Sequence, residues 1–229
     1  MRWEILCLTM PTRTEFLYSL KAILEPQIHA HKGEVQFVVK LSDPEISLGA
    51  NRQKMREESS AEYINFFDDD DCPALDYVDR ILPLLDGVDY IGFRVQAYED
   101  GKALPGPTYH SLLCGGWFDK TYADGSKSWH RDISHINPIR RELALKVPIY
   151  GGFGEDSRWS GDLRKLGIVK TEHFIEQTMY FYLSRTDKID GVKLGPLTAG
   201  NCFHCNNPAT VLVGNGIRYC NSCGAEEKL

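Results

Sequence analysis

The stretch that decides the fold is LGANRQKMREESSAEYINFFDDDD, residues 48–71, in which an apolar segment runs directly into four aspartates. Tyr63 to Phe67 has the length and composition of a buried strand, and the charged residues before it favour a helix. A solvated turn is the ordinary explanation of such a charge run. This run, however, follows a strand, and open α/β sheets bind ligands beyond the carboxyl ends of their strands. Because carboxylate oxygens suit Mg²⁺ or Mn²⁺, Asp68–Asp71 is a candidate site for a divalent metal beside a diphosphate.

Outward from this stretch, strand and helix patterns alternate along the chain. Apolar runs predict strands at residues 3–9, 35–41, 63–67 and 89–96, and helices at 15–24, 50–60 and 74–85. Residues 99–137 look irregular and turn-rich, Pro138 is expected to open a helix, and residues 171–184 fit either a strand or a helix. The alternation predicts an α/β domain with a mostly parallel sheet and flanking helices.

Length and composition describe an ordinary globular chain. Its 229 residues, 42% of them hydrophobic and 25% charged, predict one large domain or one with a small addition. No apolar run approaches the ~18–20 residues of a membrane span, and the first residues do not resemble a signal peptide, so we expect a cytoplasmic protein without a transmembrane segment. The net charge of −6 argues against binding nucleic acid mainly through phosphate neutralisation, without excluding it.

Four of the seven cysteines have the spacing of a zinc site. The pairs Cys202/Cys205 and Cys220/Cys223, with fourteen residues between them, supply four thiolates for tetrahedral Zn²⁺. Between them, ATVLVGNGIRY (209–219) predicts two short strands joined at Asn215-Gly216. We therefore expect a domain over residues 1–184, a linker over 185–201 and a structural β zinc ribbon over 202–229. Disulfides or free thiols are the alternative.

Three motifs together resemble the GT-A glycosyltransferases, and family 2 most of all. They are PTR (11–13) after the first strand, residues 48–71, and GEDSRWS (154–160), and the resemblance covers about residues 3–183. It implies a Rossmann-like GT-A fold whose aspartate run carries the DxD motif for a metal and a nucleotide-sugar diphosphate. The registers Asp68/Asp70 and Asp69/Asp71 both fit. The distance from the strand favours Asp68 near the ribose and Asp70 on the metal, with Asp69 also on the donor side.

The same resemblance implies roles for residues near other strand ends. Thr12 and Arg13 would line the nucleotide pocket, and Asp43 would contact the base. Arg52 and Lys54 would face the diphosphate, unless they are simply exposed helix charges. His173, about 17 residues past the second acidic pair, is expected to be a further metal ligand.

The second acidic pair is Glu155-Asp156, which lies between GGFG and SRWSG. A direct displacement needs a base for the acceptor hydroxyl. The resemblance matches Asp156 to that base, with Glu155 beside it, although acidic residues also favour the first turn of a helix. Trp159 would either stack on a sugar or base at the acceptor side or belong to the core. By the same resemblance, His130, Arg131 and His135 are expected at the acceptor side. Arg140 and Arg141 are expected to contact the departing diphosphate or a charged acceptor.

These features predict a metal-dependent glycosyltransferase with catalytic Mn²⁺ or Mg²⁺ and structural Zn²⁺, and the resemblance implies that it inverts the anomeric centre. A zinc ribbon favours DNA as the acceptor, and specifically a hydroxymethylated base in bacteriophage DNA. A phage-encoded protein of this kind would act in the host cytoplasm. A glycan or lipid-linked acceptor of cell-surface polysaccharide synthesis is the alternative. A zinc-ribbon binding module on an inactive GT-A scaffold is the alternative from another class. A nucleotidyltransferase is disfavoured because residues 10–16 (MPTRTEF) contain no glycine for a phosphate loop.

Overall fold

A computed structural model describes residues 1–99, 102–104, 106, 108–123, 125 and 127–184, and the strand backbone at 210–213, 217–220 and 226–228. Its first half alternates strands and helices as the sequence predicts. The elements are β1 (Trp3–Thr9), α1 (Thr14–Ala30), β2 (Val35–Leu41), α2 (Leu48–Glu58), β3 (Tyr63–Phe66), β4 (Cys72–Pro73), α3 (Tyr77–Ile81) and β5 (Tyr90–Glu99). The helix α1 runs past Pro26, because Leu24 and Gln27 on either side of the proline are buried against the sheet and its neighbours.

The second half departs further from the sequence prediction. Its elements are β6 (Lys102–Ala103), β7 (Thr108–His110), β8 (Phe118–Thr121), β9 (Lys127–Arg131), β10 (Ile139–Arg140), α4 (Arg141–Ala144), α5 (Glu155–Leu166) and β11 (Glu172–Ser184). The region expected to be irregular therefore contains short strands. The helix expected at Pro138 begins only at Arg141, because β10 first pairs with β3 and β5. Residues 172–184 form a strand.

One mixed sheet carries these elements, in the order β2-β1-β3-β10-β5-β7-β9-β8. β1 pairs in parallel with β2 and with β3, and β11 pairs in parallel with β5. β10 lies antiparallel between β3 and β5, and β7 is antiparallel to β5. The central part of the sheet is thus mostly parallel, as expected, and antiparallel strands extend it on one side.

Helices cover both faces of the sheet. Alternate residues of β1 point to opposite faces, so Trp3 and Ile5 join one buried cluster and Leu6 joins another. The first cluster includes Leu20 and Leu24 of α1 and Tyr77 of α3, and the second includes Met55 of α2 and Leu163 of α5. The three layers bring α2 and α5 to the same face, beside the end of β3.

A separate three-stranded antiparallel sheet lies near the C-terminus: β12 (Thr210–Val213), β13 (Ile217–Cys220) and β14 (Glu226–Lys228). β12 and β13 match the two predicted strands, and β14 was not predicted. The linker, the Asn215-Gly216 turn and Cys202, Cys205 and Cys223 lie outside the described residues, so the zinc ribbon remains a prediction. In the part of the chain that the structure describes, no helix is long and apolar enough to cross a membrane.

Candidate active site

The loops after β1, β2 and β3 share one edge of the sheet. These parallel strands end together, so Thr12 and Arg13 after β1, Asp43 after β2 and Asp68 after β3 come to the same edge. Thr12 and Asp43 are exposed there. The Asp43 carboxylate accepts a hydrogen bond of 3.0 Å from the Glu45 backbone. The residues of these three loops that are predicted to bind the donor therefore all lie at the same edge of the sheet.

The four aspartates have two different environments. Asp69 and Asp71 are each 2% exposed, whereas the side chains of Asp68 and Asp70 are 34% and 37% exposed. Alternate members of the run thus face the interior and the solvent. Asp68 and Asp70 are thus the partly exposed carboxylates of the run, and each is also paired with an arginine, Asp68 with Arg52 and Asp70 with Arg13.

The two buried aspartates are fixed by partners from distant parts of the chain. Asp69 accepts a hydrogen bond of 2.5 Å from the Thr9 hydroxyl and pairs with Arg13 at 2.9 Å, and Arg13 also pairs with Asp70. Burial raises the pKa of Asp69 to about 6, against the lowering effect of Thr9 and Arg13.

The environment of Asp71 is formed by β11. Its carboxylate accepts hydrogen bonds from the Tyr180 hydroxyl at 2.5 Å and from the Leu183 backbone at 2.8 Å. Burial raises the pKa of Asp71 well above its ordinary value, and the charges of Asp70 and Asp68 add to this effect. Asp71 therefore anchors the run to β11 rather than facing a ligand.

Arg52 connects the aspartate run to the second acidic pair. It lies on α2, is 7% exposed, and its guanidinium contacts Asp68 at 2.7 Å and Glu155 at 2.5 Å. Burial lowers the pKa of Arg52, but the two carboxylates outweigh burial and raise it. Arg52 is expected from the sequence to face the donor diphosphate. In the structure, its guanidinium pairs with two protein carboxylates. Lys54, on the same helix, is exposed.

The charge of Arg52 also acts on Asp68. Burial works against ionisation of Asp68, but Arg52 together with His135 and Arg13 outweighs burial and holds the pKa of this carboxyl below its ordinary value. Asp68 therefore stays ionised at neutral pH and stays acceptor-only in its hydrogen bonding.

The acidic pair opens α5, and its two members differ. Gly154 adopts a φ of 81° at the start of the helix, a backbone conformation that favours glycine. Glu155, expected beside the base, is 3% exposed and paired with Arg52, so it is not free to take a proton. The Asp156 side chain is 24% exposed, and its Oδ1 accepts a hydrogen bond of 2.7 Å from the Ser157 backbone. Only Asp156 is accessible to an acceptor.

His135 lies between the two acidic motifs. The backbone N–H of Phe66 donates to the His135 carbonyl at 2.7 Å, which holds this loop against the end of β3. The ring is buried, with Nε2 3.8 Å from Asp68 and Nδ1 3.5 Å from Asp156. His135 therefore lies between the two acidic motifs with its ring facing protein carboxylates, and its place at the acceptor side stays a prediction.

Trp159 was expected either at the acceptor side or in the core, and the structure places it in the core. It lies one turn after Glu155 on the inward face of α5, is 2% exposed, and its indole N–H donates to the Ala144 carbonyl at 3.3 Å. Stacking of Trp159 on a sugar or base is incompatible with this burial.

His173 does not join the aspartates. It is exposed near the start of β11 and pairs with Ile91, whereas Tyr180, seven residues further along the strand, is the residue that reaches Asp71. Seven residues of extended chain span roughly 20 Å. The expectation that His173 ligates a metal held by Asp70 is therefore not met.

The remaining basic residues of the prediction also lie elsewhere. Arg140 pairs with Glu62 at 2.7 Å and Arg141 donates to the Arg56 and Glu57 carbonyls, so both lie near the amino end of β3. His130 stacks on Phe118, with ring centroids 4.7 Å apart, within the β8–β9 hairpin. Arg131 pairs with Asp119 of the same hairpin at 3.2 Å.

Sequence reasoning missed several residues that shape the site. Thr9 could have been identified from the sequence, because it is a polar residue at the end of an apolar strand, just before PTR. Tyr180 carries no such signal, because only the fold brings β11 to Asp71. Gly49 is the third: a Cβ there would lie 2.6 Å from the Tyr150 backbone, and the Gly49 N–H donates to the Gly151 carbonyl at 2.8 Å. This close approach packs α2 against the loop that precedes α5.

Asp68 and Asp70 are the candidate ligands of this site for a divalent metal. Among the described residues, no group of three or more His, Cys, Asp or Glu side chains converges as a metal cage. Mg²⁺ at a diphosphate needs only one or two carboxylates, because phosphate oxygens and water complete its octahedron. The partly exposed carboxylates of Asp68 and Asp70 fit that mode of binding.

No family model and no curated protein sequence matches this chain. Among solved structures, it is similar to TarS of S. aureus at 13% identity. TarS 1–349 superposes with a TM-score of 0.51 over 80% of this chain and 60% of that one, and its complex with UDP-GlcNAc with 0.52 over 87% and 62%. The chain thus spans about 60% of the length of TarS 1–349. At this identity the likeness shows the fold alone: the chain shares the fold of TarS.

Proposed function

We propose that this protein is a nucleotide-sugar-dependent glycosyltransferase with Asp156 as its base. One observation carries the proposal: Asp68 and Asp156, from motifs on different elements, both face the buried ring of His135 at the carboxyl edge of the parallel strands. A displacement of a diphosphate needs a diphosphate site and a base side by side. This edge is also where open α/β sheets bind their ligands.

The donor is proposed to lie beside Asp68 and Asp70. Solved structures of TarS in complex with UDP-GlcNAc and with UDP support a nucleotide-sugar donor for a chain of this fold. Thr12 and Asp43 are the exposed residues at the same edge that would contact the nucleoside. Asp70, with Asp68 beside it, would hold a Mg²⁺ or Mn²⁺ ion, which when bound neutralises charge on the diphosphate.

Asp156 would take the proton of the acceptor hydroxyl. The hydroxyl oxygen then forms a bond to the anomeric carbon as the bond from that carbon to the diphosphate breaks, which inverts the anomeric centre. Asp156 suits this role because it is accessible, while Ser157 fixes one of its oxygens. The guanidinium of Arg52 is paired with Glu155, so the Glu155 carboxylate does not compete with Asp156 for the proton.

The acceptor is proposed to be a hydroxymethylated base in DNA. The Cys202/Cys205 and Cys220/Cys223 pairs would form a zinc ribbon, and such a module is common in proteins that bind nucleic acid. A glycan or lipid-linked acceptor is the alternative. A zinc-ribbon binding module on an inactive scaffold is the alternative without catalysis, and the accessible Asp156 argues against it.

The test is transfer from a panel of nucleotide-sugars in the presence of Mn²⁺, with DNA containing plain or hydroxymethylated pyrimidines, read by mass spectrometry of the digested nucleosides. We expect a sugar-sized mass gain that Asp70→Asn and Asp156→Asn each reduce by at least about 100-fold. Asp162→Asn is the matched control, because Asp162 lies on α5 but pairs only with the surface residue Lys165.

Three outcomes separate the alternatives. Nucleotide release without a modified base would retain the transferase and reject the DNA acceptor. Transfer that survives Asp156→Asn would reject the assigned base. No release from any donor would reject the transferase and favour the binding module.

A further inference from the structure

The side chain of His135 is buried without a hydrogen-bond partner for either ring nitrogen. It is 8% exposed, and both Nδ1 and Nε2 are buried and unpaired at hydrogen-bond distance. A buried polar group without a partner is unfavourable, and in native structures it commonly marks a functional position. A carboxylate lies on each side of the ring, Asp156 Oδ2 at 3.5 Å from Nδ1 and Asp68 Oδ2 at 3.8 Å from Nε2.

The backbone around His135 is firmly held. Phe66 of β3 donates to the His135 carbonyl, and Asp132, three residues earlier, binds Arg164 of α5 at 2.9 Å. The ring itself packs against the Phe66 ring, with centroids 6.2 Å apart. The loop is therefore tied both to the strand that precedes Asp68 and to the helix that carries Asp156. The imidazole has little freedom to leave the space between the two carboxylates.

We propose that His135 is the positioning residue for Asp156, holding its carboxylate toward the acceptor hydroxyl. Asp156 Oδ1 accepts from the Ser157 backbone, and Oδ2 is the oxygen that faces His135. An N–H···O hydrogen bond is about 2.9 Å long, so a shift of about 0.6 Å closes the contact with Nδ1–H. Two donors on two oxygens then fix the plane of the carboxylate. The inference rests on the proposed function for its catalytic consequence, but not for the contact itself.

The two ring nitrogens can be separated by substitution. The amide nitrogen of asparagine can occupy the place of Nδ1, which faces Asp156, and that of glutamine the place of Nε2, which faces Asp68. We expect His135→Ala to lower kcat by about 10- to 100-fold, with the donor KM within about threefold, because a misplaced base affects the transition state more than donor binding. His135→Asn should recover more of kcat than His135→Gln. His29→Asn, an exposed histidine in the last turn of α1, is the control.

A second measurement does not depend on turnover. A double-mutant cycle of His135→Ala and Asp156→Ala, each of which removes the contact, should show by urea unfolding a coupling of at least about threefold in the unfolding equilibrium constant. The His29→Ala and Asp156→Ala pair should be additive within about twofold. Equal kcat for the Asn, Gln and Ala variants, a loss confined to the donor KM, or the absence of coupling would each overturn the inference. Coupling without turnover in the wild type would overturn the proposed function and leave the contact standing.

Discussion

At the scale of single residues, the site is organised by one buried cation between two carboxylates. Arg52 contacts Asp68 and Glu155 and leaves Asp156 accessible. A buried ion pair adds little stability over an apolar pair of the same shape, but removing one partner leaves a buried charge without compensation. The arrangement therefore makes the stability of the site depend strongly on Arg52.

We expect Arg52→Met to lower the free energy of unfolding by about 3–5 kcal/mol, because Glu155 keeps a buried charge without a partner. Combining it with Glu155→Leu should recover part of this loss. Urea unfolding at neutral pH measures both. A single variant as stable as the wild type would contradict the contact, and Arg158→Met, on the exposed face of α5, is the control.

His110 makes the stability of the fold sensitive to acid. It is 7% exposed, hydrogen-bonded to Asn137 at 2.8 Å, and burial lowers its pKa to about 3. The unfolded chain binds a proton near pH 6.5 and the folded chain does not, so stability falls as the pH drops from about 6.5 towards 3.

We expect the free energy of unfolding contributed by His110 to be about 2 kcal/mol lower at pH 5 than at pH 7. His110→Gln should remove this part of the pH dependence, because glutamine does not titrate. Urea unfolding of both proteins at the two pH values is the measurement. An unchanged difference between pH 5 and pH 7 in the variant would assign the acid sensitivity to other groups.

At the scale of elements, the active site depends on how closely α2 approaches the loop before α5. Gly49 lies in the first turn of α2, and its missing Cβ leaves space for the backbone of Tyr150 and Gly151. In an ordinary helix, Gly→Ala raises stability, because alanine has the better helix propensity. Here the backbone contact reverses that expectation.

We expect Gly49→Ala to lower the free energy of unfolding by about 1–3 kcal/mol, because the added Cβ would displace the loop before α5. Turnover should also fall, because the same loop positions Glu155 and Asp156. Gly161→Ala is the matched control. A Cβ at Gly161, within α5, would meet only the Arg164 side chain at 3.7 Å, so that variant should be neutral or slightly more stable. A stabilised Gly49→Ala protein would show that the two segments are not in contact.

At the scale of the whole molecule, the C-terminal segment is expected to depend on metal. A chain segment of this length cannot bury a core of its own, so bound zinc would supply its folding energy. We expect about one zinc ion per chain after purification without added metal, measured by inductively coupled plasma mass spectrometry. Cys202→Ser and Cys223→Ser should each lose it, and Cys114→Ser, in the sheet domain, should retain it. Zinc-free wild-type protein would reject the ribbon.

Much of the first half of the fold could be predicted from the sequence. β1 and β2 have the predicted bounds, and the aspartate run follows β3 as expected. These elements are local: an apolar run bounded by turn residues is sufficient to predict them. Among the short strands between residues 102 and 140, β10 could not be predicted in this way, because it pairs with β3 and β5, which are distant along the chain. β6 and the β8–β9 hairpin pair with strands close in sequence, but they contain no apolar run that would predict them.

The sequence by itself determined which chemical groups the site contains: aspartates after a strand, an arginine on the helix before that strand, and an acidic pair after glycines. Only the tertiary structure decided what each group does. It buried Asp69 and Asp71 and left Asp68 and Asp70 partly exposed, turned Arg52 toward two carboxylates, moved Trp159 into the core and kept His173 away. The reason is physical: burial, pairing and pKa are set by neighbours that are distant along the chain, and a local pattern does not contain them.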